Sequence, residues 1–482
     1  MKEKTKDSSY WIHMAITIVI MVGFGYLPAP APVTPFGMQV LGIFIGMVYG
    51  WSMVDQIWPS LFGIIMLAVV DYDTIANIII AGWGSGTVWT IVMVLVFAQA
   101  VSDAGVTEYL AIKLINHKVF FGRPWLFTGV IIFVSFFLSA ITGNPFVAMI
   151  IMWRITYDIC SFAGYKPKDA WPSLTLVGIT FSATIGMGAF PHQLIPLIVF
   201  GAYESMGGPS INYGSYVAVC WGSMIFIVLL YLLVNKYILR LDVAKIAHID
   251  EAAFADKVLT LNRQQKIIFT IFILMIVSFF ACNMLPKSWG LIQLLNKLKL
   301  AGLAALFVGI AMVIKVGGKP LLDFQEAASK GVLWPVVVLT AAALPISSAL
   351  TSEGTGVQEF LINILGPLFA GKPVILFGVL ALVLALIVTN FANNTVTALV
   401  FMAVVVNVAA QVGANATAIV VLLVVIVHIA VLTPAACPTA GMLFANNEWI
   451  TPSFIYKEAI ALIIIAALVV CSYGYFVANS LF

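Results

Sequence analysis

The sequence predicts an all-α polytopic membrane protein with about 11 transmembrane helices, two re-entrant helical hairpins in an inverted repeat and two broken helices. Three observations carry this. Of 482 residues, 62% are hydrophobic and 9% charged, where an ordinary soluble domain has roughly 45–50% and about 25%. Apolar runs of spanning length, about 20 residues each, recur along the whole chain. The basic residues fall almost entirely on one side of the topology those runs define. Composition excludes a soluble enzyme, a disordered chain and a nucleic-acid binder. The long continuous runs exclude a β-barrel, whose strands alternate and are short.

In chain order, spans fall near 10–28, 36–53, 57–72, 85–102, 170–205, 211–235, 266–285, 300–316, 333–351, 414–446 and 453–480. The short basic N-terminus precedes a run without a small-residue cleavage site, so the first span reads as retained. Two further apolar stretches, near 123–160 and 372–411, each hold a polar, helix-breaking knot at the centre. These read as hairpins, because a backbone break at membrane depth needs protein or a water-filled cavity around it. With the N-terminus in the cytoplasm, all but Lys287, Lys297, Lys299 and Lys372 of the 23 Lys and Arg lie on the cytoplasmic side. The positive-inside rule therefore fixes the orientation, with the C-terminus outside an inner cell membrane. The scattered cysteines, Cys160, Cys220, Cys282, Cys437 and Cys471, read as small apolar fillers.

The two halves match at an offset near 250. Ser102-Asp103 matches Ser352-Glu353, and Gly105 to Leu110 matches Gly356 to Leu361. Gly122-Arg123-Pro124 matches Gly371-Lys372-Pro373, and Asn144 matches Asn394. Five crossings separate the hairpins, so the repeats are inverted, the arrangement of secondary transporters with a midplane site. The amphipathic segments 104–117 and 353–366 read as interfacial helices.

Four discontinuities carry the chemistry. The hairpin tips are Ser139 to Pro145 and Thr389 to Thr395; the broken spans open at Gly186 to Gln193 and Thr433 to Gly441. A half-helix N-terminus presents free N–H groups that favour an anion, and a half-helix C-terminus presents carbonyls that suit Na⁺. None of the 20 Asp and Glu lies in a tip or break, which disfavours a carboxylate proton relay and an organic-cation substrate. His192 lies in the first break and is a candidate substrate contact. His428, five residues before the second, reads as a packing residue. Arg154 and Asp158 read as a local i,i+4 pair, or Arg154 as a fixed charge that assists an anion.

These residues resemble the divalent anion:sodium symporter family, the dicarboxylate and citrate carriers of the ion transporter superfamily. Asn393-Asn394-Thr395 stands for that family's Ser-Asn-Thr hairpin motif, and a broken helix follows. The resemblance implies that Asn394 and Thr395 touch a substrate carboxylate. With the first-half and break counterparts, the implied substrate set is Asn144, Pro145, Ala189, His192, Asn394, Thr395, Ala436 and Cys437. It implies a sodium site of Thr389, Ala392, Asn394 and Ala435, and a first site of Ser139, Gly143, Asn144 and Gly188. The first half departs from the pattern, with Gly143-Asn144-Pro145 at the tip; the breaks carry Pro191-His192 and Pro438-Thr439 in place of Pro-Pro-Asn.

The resemblance further implies a homodimer, no organic cofactor, and an elevator. Its scaffold would be 1–118 and 267–370, which include the arms, and its transport domain 119–235 and 371–482, joined by a cytoplasmic linker, 236–266. The expected function is secondary transport of a small organic dianion (a C4-dicarboxylate, 2-oxoglutarate or citrate), coupled to Na⁺ or to anion exchange. The alternative is a carrier of a monocarboxylate or an inorganic oxyanion. An anion channel is a third reading, disfavoured by hairpins that close from opposite faces, and the chain carries no HExxH or other enzyme signature.

Overall fold

A computed structural model describes residues 2–249, 251–254, 260–352, 354–369, 372–434 and 436–482. The first half runs α1 (Lys2–Gly23), α2 (Pro35–Met53), α3 (Trp58–Val69), α4 (Ile75–Trp83), α5 (Gly86–Asp103) and α6 (Val106–Ile115). Then follow α7 (Pro124–Thr142), α8 (Pro145–Ala163), α9 (Ala170–Gly186), α10 (Leu194–Ser205) and α11 (Tyr213–Leu233), which continues into a π-helical turn, Val234–Ile238. The second half runs α12 (Arg263–Met284), α13 (Gly290–Val313), a small hairpin of β1 (Lys315–Val316) and β2 (Lys319–Pro320), α14 (Phe324–Gly331), α15 (Trp334–Leu350) and α16 (Val357–Phe369). It ends with α17 (Val374–Thr389), α18 (Asn394–Val408), α19 (Ala416–Val427), α20 (Pro438–Ala445), α21 (Pro452–Val469), a π-helical turn Val470–Gly474 and α22 (Tyr475–Leu481).

The chain starts its helices with ordinary chemistry. Thr34, Ser85, Asn212, Asn415 and Thr451 each accept a bond from the third residue of the helix they cap, and Asn262 with Gln265 forms a capping box. Such caps satisfy amides that the first turn leaves open.

Each expected span has a helix or helix pair. Among the described residues eight helices are long and apolar enough to cross a membrane, or nine if α14 and α15, bent by 77°, are one span. The bounds differ in three places. The expected span 57–72 yields α3 with 12 residues, about 18 Å long, because Asp71 takes a positive φ and the chain turns into α4. α13 begins at Gly290 and kinks at Lys299, where φ is 54°. The second break opens at His428, not at Thr433, because α19 ends at Val427. Glu353, Gly371 and Ala435 lie outside the described residues.

The repeat extends beyond the sequence matches. α4 and α14 correspond, as do α5 and α15, the hairpins α7–α8 and α17–α18, and the broken pairs α9–α10 and α19–α20. Even the π-helical turns recur, each directly after α11 or α21. α4 packs on α15, and α14 packs on α5. A Cβ at Gly82 of α4 would lie 2.0 Å from the Ala341 carbonyl oxygen, and one at Gly331 of α14 would lie 2.5 Å from Gln99 Cβ. Corresponding glycines thus allow both crossings.

The helices pack as two groups. α1–α5 and α12–α15 pack among themselves, as do α7–α11 and α17–α22. The main seam runs along α10 and α15, where Ser348 Oγ donates to the Ser205 carbonyl at 3.1 Å. α6 and α16 start at Gly105 and Gly356, whose φ values are 75° and 65°. Each start is pinned to the first group: Gln265 Nε2 donates to Ala104 O at 2.8 Å, and Thr34 Oγ donates to Gly354 O at 2.6 Å. The described part of the linker docks on the first hairpin. Lys245 Nζ donates to Gly164 O at 3.0 Å and lies 3.4 Å from Asp169, over buried Val243, Ile246 and Ile249.

Gly82→Val and Gly331→Val should each destabilise the protein by about 1–3 kcal/mol through overpacking. The melting temperature of the detergent-solubilised chain measures this; unchanged melting for both would remove these crossings from the stability of the fold.

Candidate functional site

Each hairpin tip sits against the break that follows it. At the first tip α7 ends on Gly143, left-handed at φ 64°, whose N–H bonds to Ser139 O. Asn144 caps α8: its Oδ1 accepts from the Phe146 and Val147 amides at 3.0 and 3.2 Å. Ser139 Oγ donates to Ala183 O, in the last turn of α9, at 2.6 Å. Gln193, the last residue before α10, donates from Nε2 to Ala140 O at 2.6 Å and accepts the Phe190 amide on Oε1 at 3.0 Å. One side chain thereby holds the break closed and ties it to the tip.

The second tip repeats this with the roles exchanged. Thr389 Oγ donates to Val427 O, in the last turn of α19, at 3.0 Å, the counterpart of the Ser139 bond to Ala183 O. Here the clamp comes from the hairpin. Asn390 Nδ2 donates to Leu386 O and Ile429 O at 2.8 and 2.9 Å, and its Oδ1 accepts from the Val431 and Leu432 amides at 3.1 and 2.9 Å. Those four bonds use the full capacity of the amide, and the three to Ile429, Val431 and Leu432 replace helix bonds that the chain lacks after α19 ends at Val427. Asn393 caps α18, accepting from the Thr395 and Val396 amides at 2.9 and 3.2 Å.

The two caps correct the repeat register. Asn144 is the structural counterpart of Asn393, not of Asn394 as the sequence match had it. Pro145 then corresponds to Asn394, so the first tip carries a ring where the second carries an amide.

The halves also meet each other. Thr184 Oγ and Thr439 Oγ are 2.8 Å apart, joining α9 to α20. A Cβ on Gly188 would lie 2.5 Å from His428 Cε1, so His428 packs into the first break from its place at the end of α19. The Gly188 carbonyl accepts the Tyr216 hydroxyl of α11. Ala189 and Ala436 are buried, and Cys437 Sγ lies 2.9 Å from Ala430 O. His192 points away from this junction toward the seam: it stacks on Phe190 at 5.3 Å and meets Phe279 of α12 at 5.3 Å. Its Nδ1 is buried without a partner among the described residues. It lines, with Thr142, Gly143 and Gln193, a cavity of about 10 Å³ closed by α5 and α12, room for about one water. Arg154, on the outer side of α8, is exposed.

Sequence reasoning assigned no role to Gln193, Asn390, Asn393 or Tyr216, and it missed the buried acid Glu458, which lies beside Tyr231 and Asn235. Gln193 and Asn390 carried one usable signal, an amide inside a Gly/Pro-rich break and inside a polar hairpin tip respectively.

The two proposed cation sets differ in fit. In the first, Asn144 Oδ1 is taken by two amides, and the Gly188 carbonyl faces the Tyr216 hydroxyl. Ser139 Oγ is turned to Ala183 O. These residues do not form a cage of free oxygens. In the second, Thr389 Oγ lies 3.0 Å from both Asn394 Oδ1 and Val427 O. Three neutral oxygens there lie together at the Thr389 hydroxyl, which is hydrogen-bonded to its neighbours as Ser139 is in the first set; Val427 is not a member of the expected set, and Ala435 lies outside the described residues. Among the described residues no group of three His, Cys, Asp or Glu could hold a metal ion.

Four half-helices begin at these tips and breaks: α8, α10, α18 and α20. Asn144 and Asn393 cap two of them, while α10 and α20 have no side-chain cap. The junction therefore presents helix N-termini and neutral amides, and no carboxylate.

Three comparisons place this architecture among known proteins. No curated protein matches the chain significantly. Among solved structures, the fold is similar to the crystal structure of the YdaH transporter of Alcanivorax borkumensis, with a TM-score of 0.57 and 12% identity over 83% of this chain and 87% of that one. A family model described as citrate transporter matches residues 5–427, in agreement with the resemblance to dicarboxylate and citrate carriers. The chain belongs to the citrate transporter family and is a multi-pass secondary transporter, not an enzyme.

Proposed function

We propose that the protein carries a small organic di- or tricarboxylate, citrate or a C4-dicarboxylate, by elevator-type alternating access. The observation that carries this reading is that four half-helices begin at tips and breaks that hold no carboxylate and are joined across the halves through Thr184–Thr439 and Gly188–His428. Each N-terminus bears about half a positive charge. In the low-dielectric interior such dipoles bind an anion without the cost of a buried fixed cation. The Nδ2 atoms of Asn144, Asn393 and Asn394 have no partner among the described residues, so three amide donors are free for substrate oxygens. Asn394 and Thr395, at the start of α18, hold one carboxylate in this reading. The uncapped starts of α10 and α20 hold the other.

Coupling to Na⁺ rests on the second oxygen set alone, Thr389, Asn394 and the Val427 carbonyl. Counter-anion exchange is the alternative. The elevator reading draws support from the two packing groups, with the hairpins and breaks in one and α1–α5 with α12–α15 in the other. α6 and α16, starting on positive-φ glycines pinned to the scaffold, would be the arms between them. The scaffold would form the homodimer contact.

Uptake of labelled citrate, succinate, malate and 2-oxoglutarate into proteoliposomes tests the substrate; no uptake of any, with or without a sodium gradient or internal anion, refutes it. Asn394→Ala should lower uptake at least tenfold while the melting temperature stays within a few degrees, because one of the charge-assisted bonds to substrate is lost. Thr389→Ala should raise the sodium concentration for half-maximal uptake, and Ser139→Ala should not; a sodium-independent wild type would move the assignment to exchange. Joining Ser205→Cys to Ser348→Cys across the seam should abolish transport under oxidation and restore it on reduction. Full activity of the cross-linked protein would exclude an elevator that breaks this contact.

A further inference from the structure

The first hairpin and α11 enclose a groove that shares no residue with the site assigned to substrate. It holds about 220 Å³ between Trp125, Leu126, Gly129 and Phe133 of α7 and Leu229 and Leu232 of α11, and its walls are wholly apolar. Gly129 lies on its floor and lets Leu232 pack against α7, since a Cβ there would come within 2.8 Å of Leu232 Cδ1. The groove is open along its length: Leu126 and Leu229 are 42% and 51% exposed. On a chain of this hydropathy the medium facing that wall is lipid.

The two helices run antiparallel here, because Gly129 meets Leu232 while Phe136 and Phe137, further along α7, meet Trp221, earlier on α11. The N-terminus of α7 and the C-terminal end of α11 therefore share one end of the groove. Two basic residues stand at that end. Arg123 is the cap residue of α7, two positions before Trp125. Lys236 lies in the π-helical turn, about one turn beyond Leu232. Both are exposed, and neither is in an ion pair among the described residues. Tyr237, 61% exposed, lies beside them with Lys236 Nζ 5.0 Å from its ring centre. Trp and Tyr rings of this kind sit at headgroup level, and Lys and Arg there attract anionic lipids.

We propose that the α7–α11 groove binds one anionic phospholipid, with an acyl chain along the apolar wall and the phosphate at Arg123 and Lys236. The groove lies on the face of α7 away from α9 and the breaks, so the site is separate from the one assigned to substrate. It occupies the outer arm of the first hairpin, and a lipid held there travels with the hairpin. Arg123 supplies a planar donor fork for phosphate oxygens, and Lys236 a mobile point charge.

Native mass spectrometry of the full chain, mixed with equal phosphatidylglycerol and phosphatidylcholine, tests this. The expected result is preferential retention of phosphatidylglycerol. Arg123→Gln with Lys236→Gln should lower that retention about 25-fold, at roughly fivefold per basic group, and leave phosphatidylcholine retention unchanged. Both residues are exposed, so the lipid-free melting temperature of the double variant should equal that of the parent. Gly129→Leu should reduce retention of both lipids by filling the groove. Equal retention of the two lipids by the parent, or unchanged selectivity in the double variant, overturns the proposal, because the groove would then hold any chain or the anionic lipid would bind elsewhere.

Discussion

Backbone satisfaction at membrane depth is the constraint on which the rest of the structure depends. A helix broken inside the bilayer leaves carbonyls on one side and amides on the other, each costing several kcal/mol if buried without a partner. In this chain the partners are side chains of the hairpins and, in the first half, of the break itself. Ser139 and Thr389 reach the last carbonyls of α9 and α19, while Gln193 and Asn390 close the gaps. Neither element is viable alone. A tip needs the break to bury against, and the break needs the tip to occupy its backbone. That mutual requirement explains why hairpin and broken span occur together, in order, in both halves.

The exchange of clamp direction between halves has a chemical consequence. In the first half the amide belongs to the break, so the tip is left with a cap, a glycine and Pro145. In the second half the amide belongs to the hairpin, which leaves the break free to donate backbone and places Thr389, Asn394 and the Val427 carbonyl together. Two halves with one architecture thus offer different donor sets. The first presents a closed, hydrogen-bonded turn; the second presents neutral oxygens around a hydroxyl. Sequence similarity between halves is therefore a guide to topology and a poor guide to ligand sets.

What the sequence shows and what it hides divides along the same line. Spans, hairpins and the first break are legible, because hydropathy and Gly/Pro placement act locally. The start of the second break is not: residues 419–432 read as continuous apolar helix, and it is the tertiary contact with Asn390 that unwinds them from His428 onward. The tip register was misread by one position because Asn393 and Asn394 are the same residue type, and only the cap geometry tells which of them matches Asn144. The length of α3 depended on Asp71 adopting a positive φ, which no periodicity announces. The role of His192 depended on which side of its helix break faces α12, a matter of packing between distant segments.

The scarcity of charge in the junction follows from what a carrier must do when empty. In the elevator reading the binding group moves once with substrate and once without it. A fixed Arg at the site would stabilise the bound anion, but on the empty return it would be a buried, unpaired cation, expensive at that depth. Helix ends and Asn amides avoid this asymmetry. Their dipoles are already held by the fold, as the two bonds to Asn144 Oδ1 and the two to Asn393 Oδ1 show, and an unfilled dipole is far cheaper to move than an unfilled charge. In the sodium-coupled reading, neutral oxygens at the second tip would extend the same logic to the cation, because a site without carboxylates is charged only while the ion is in it. The low charge content of the chain and the arrangement of its breaks are thus one property: binding by preorganised dipoles keeps the difference between the loaded and empty crossings small.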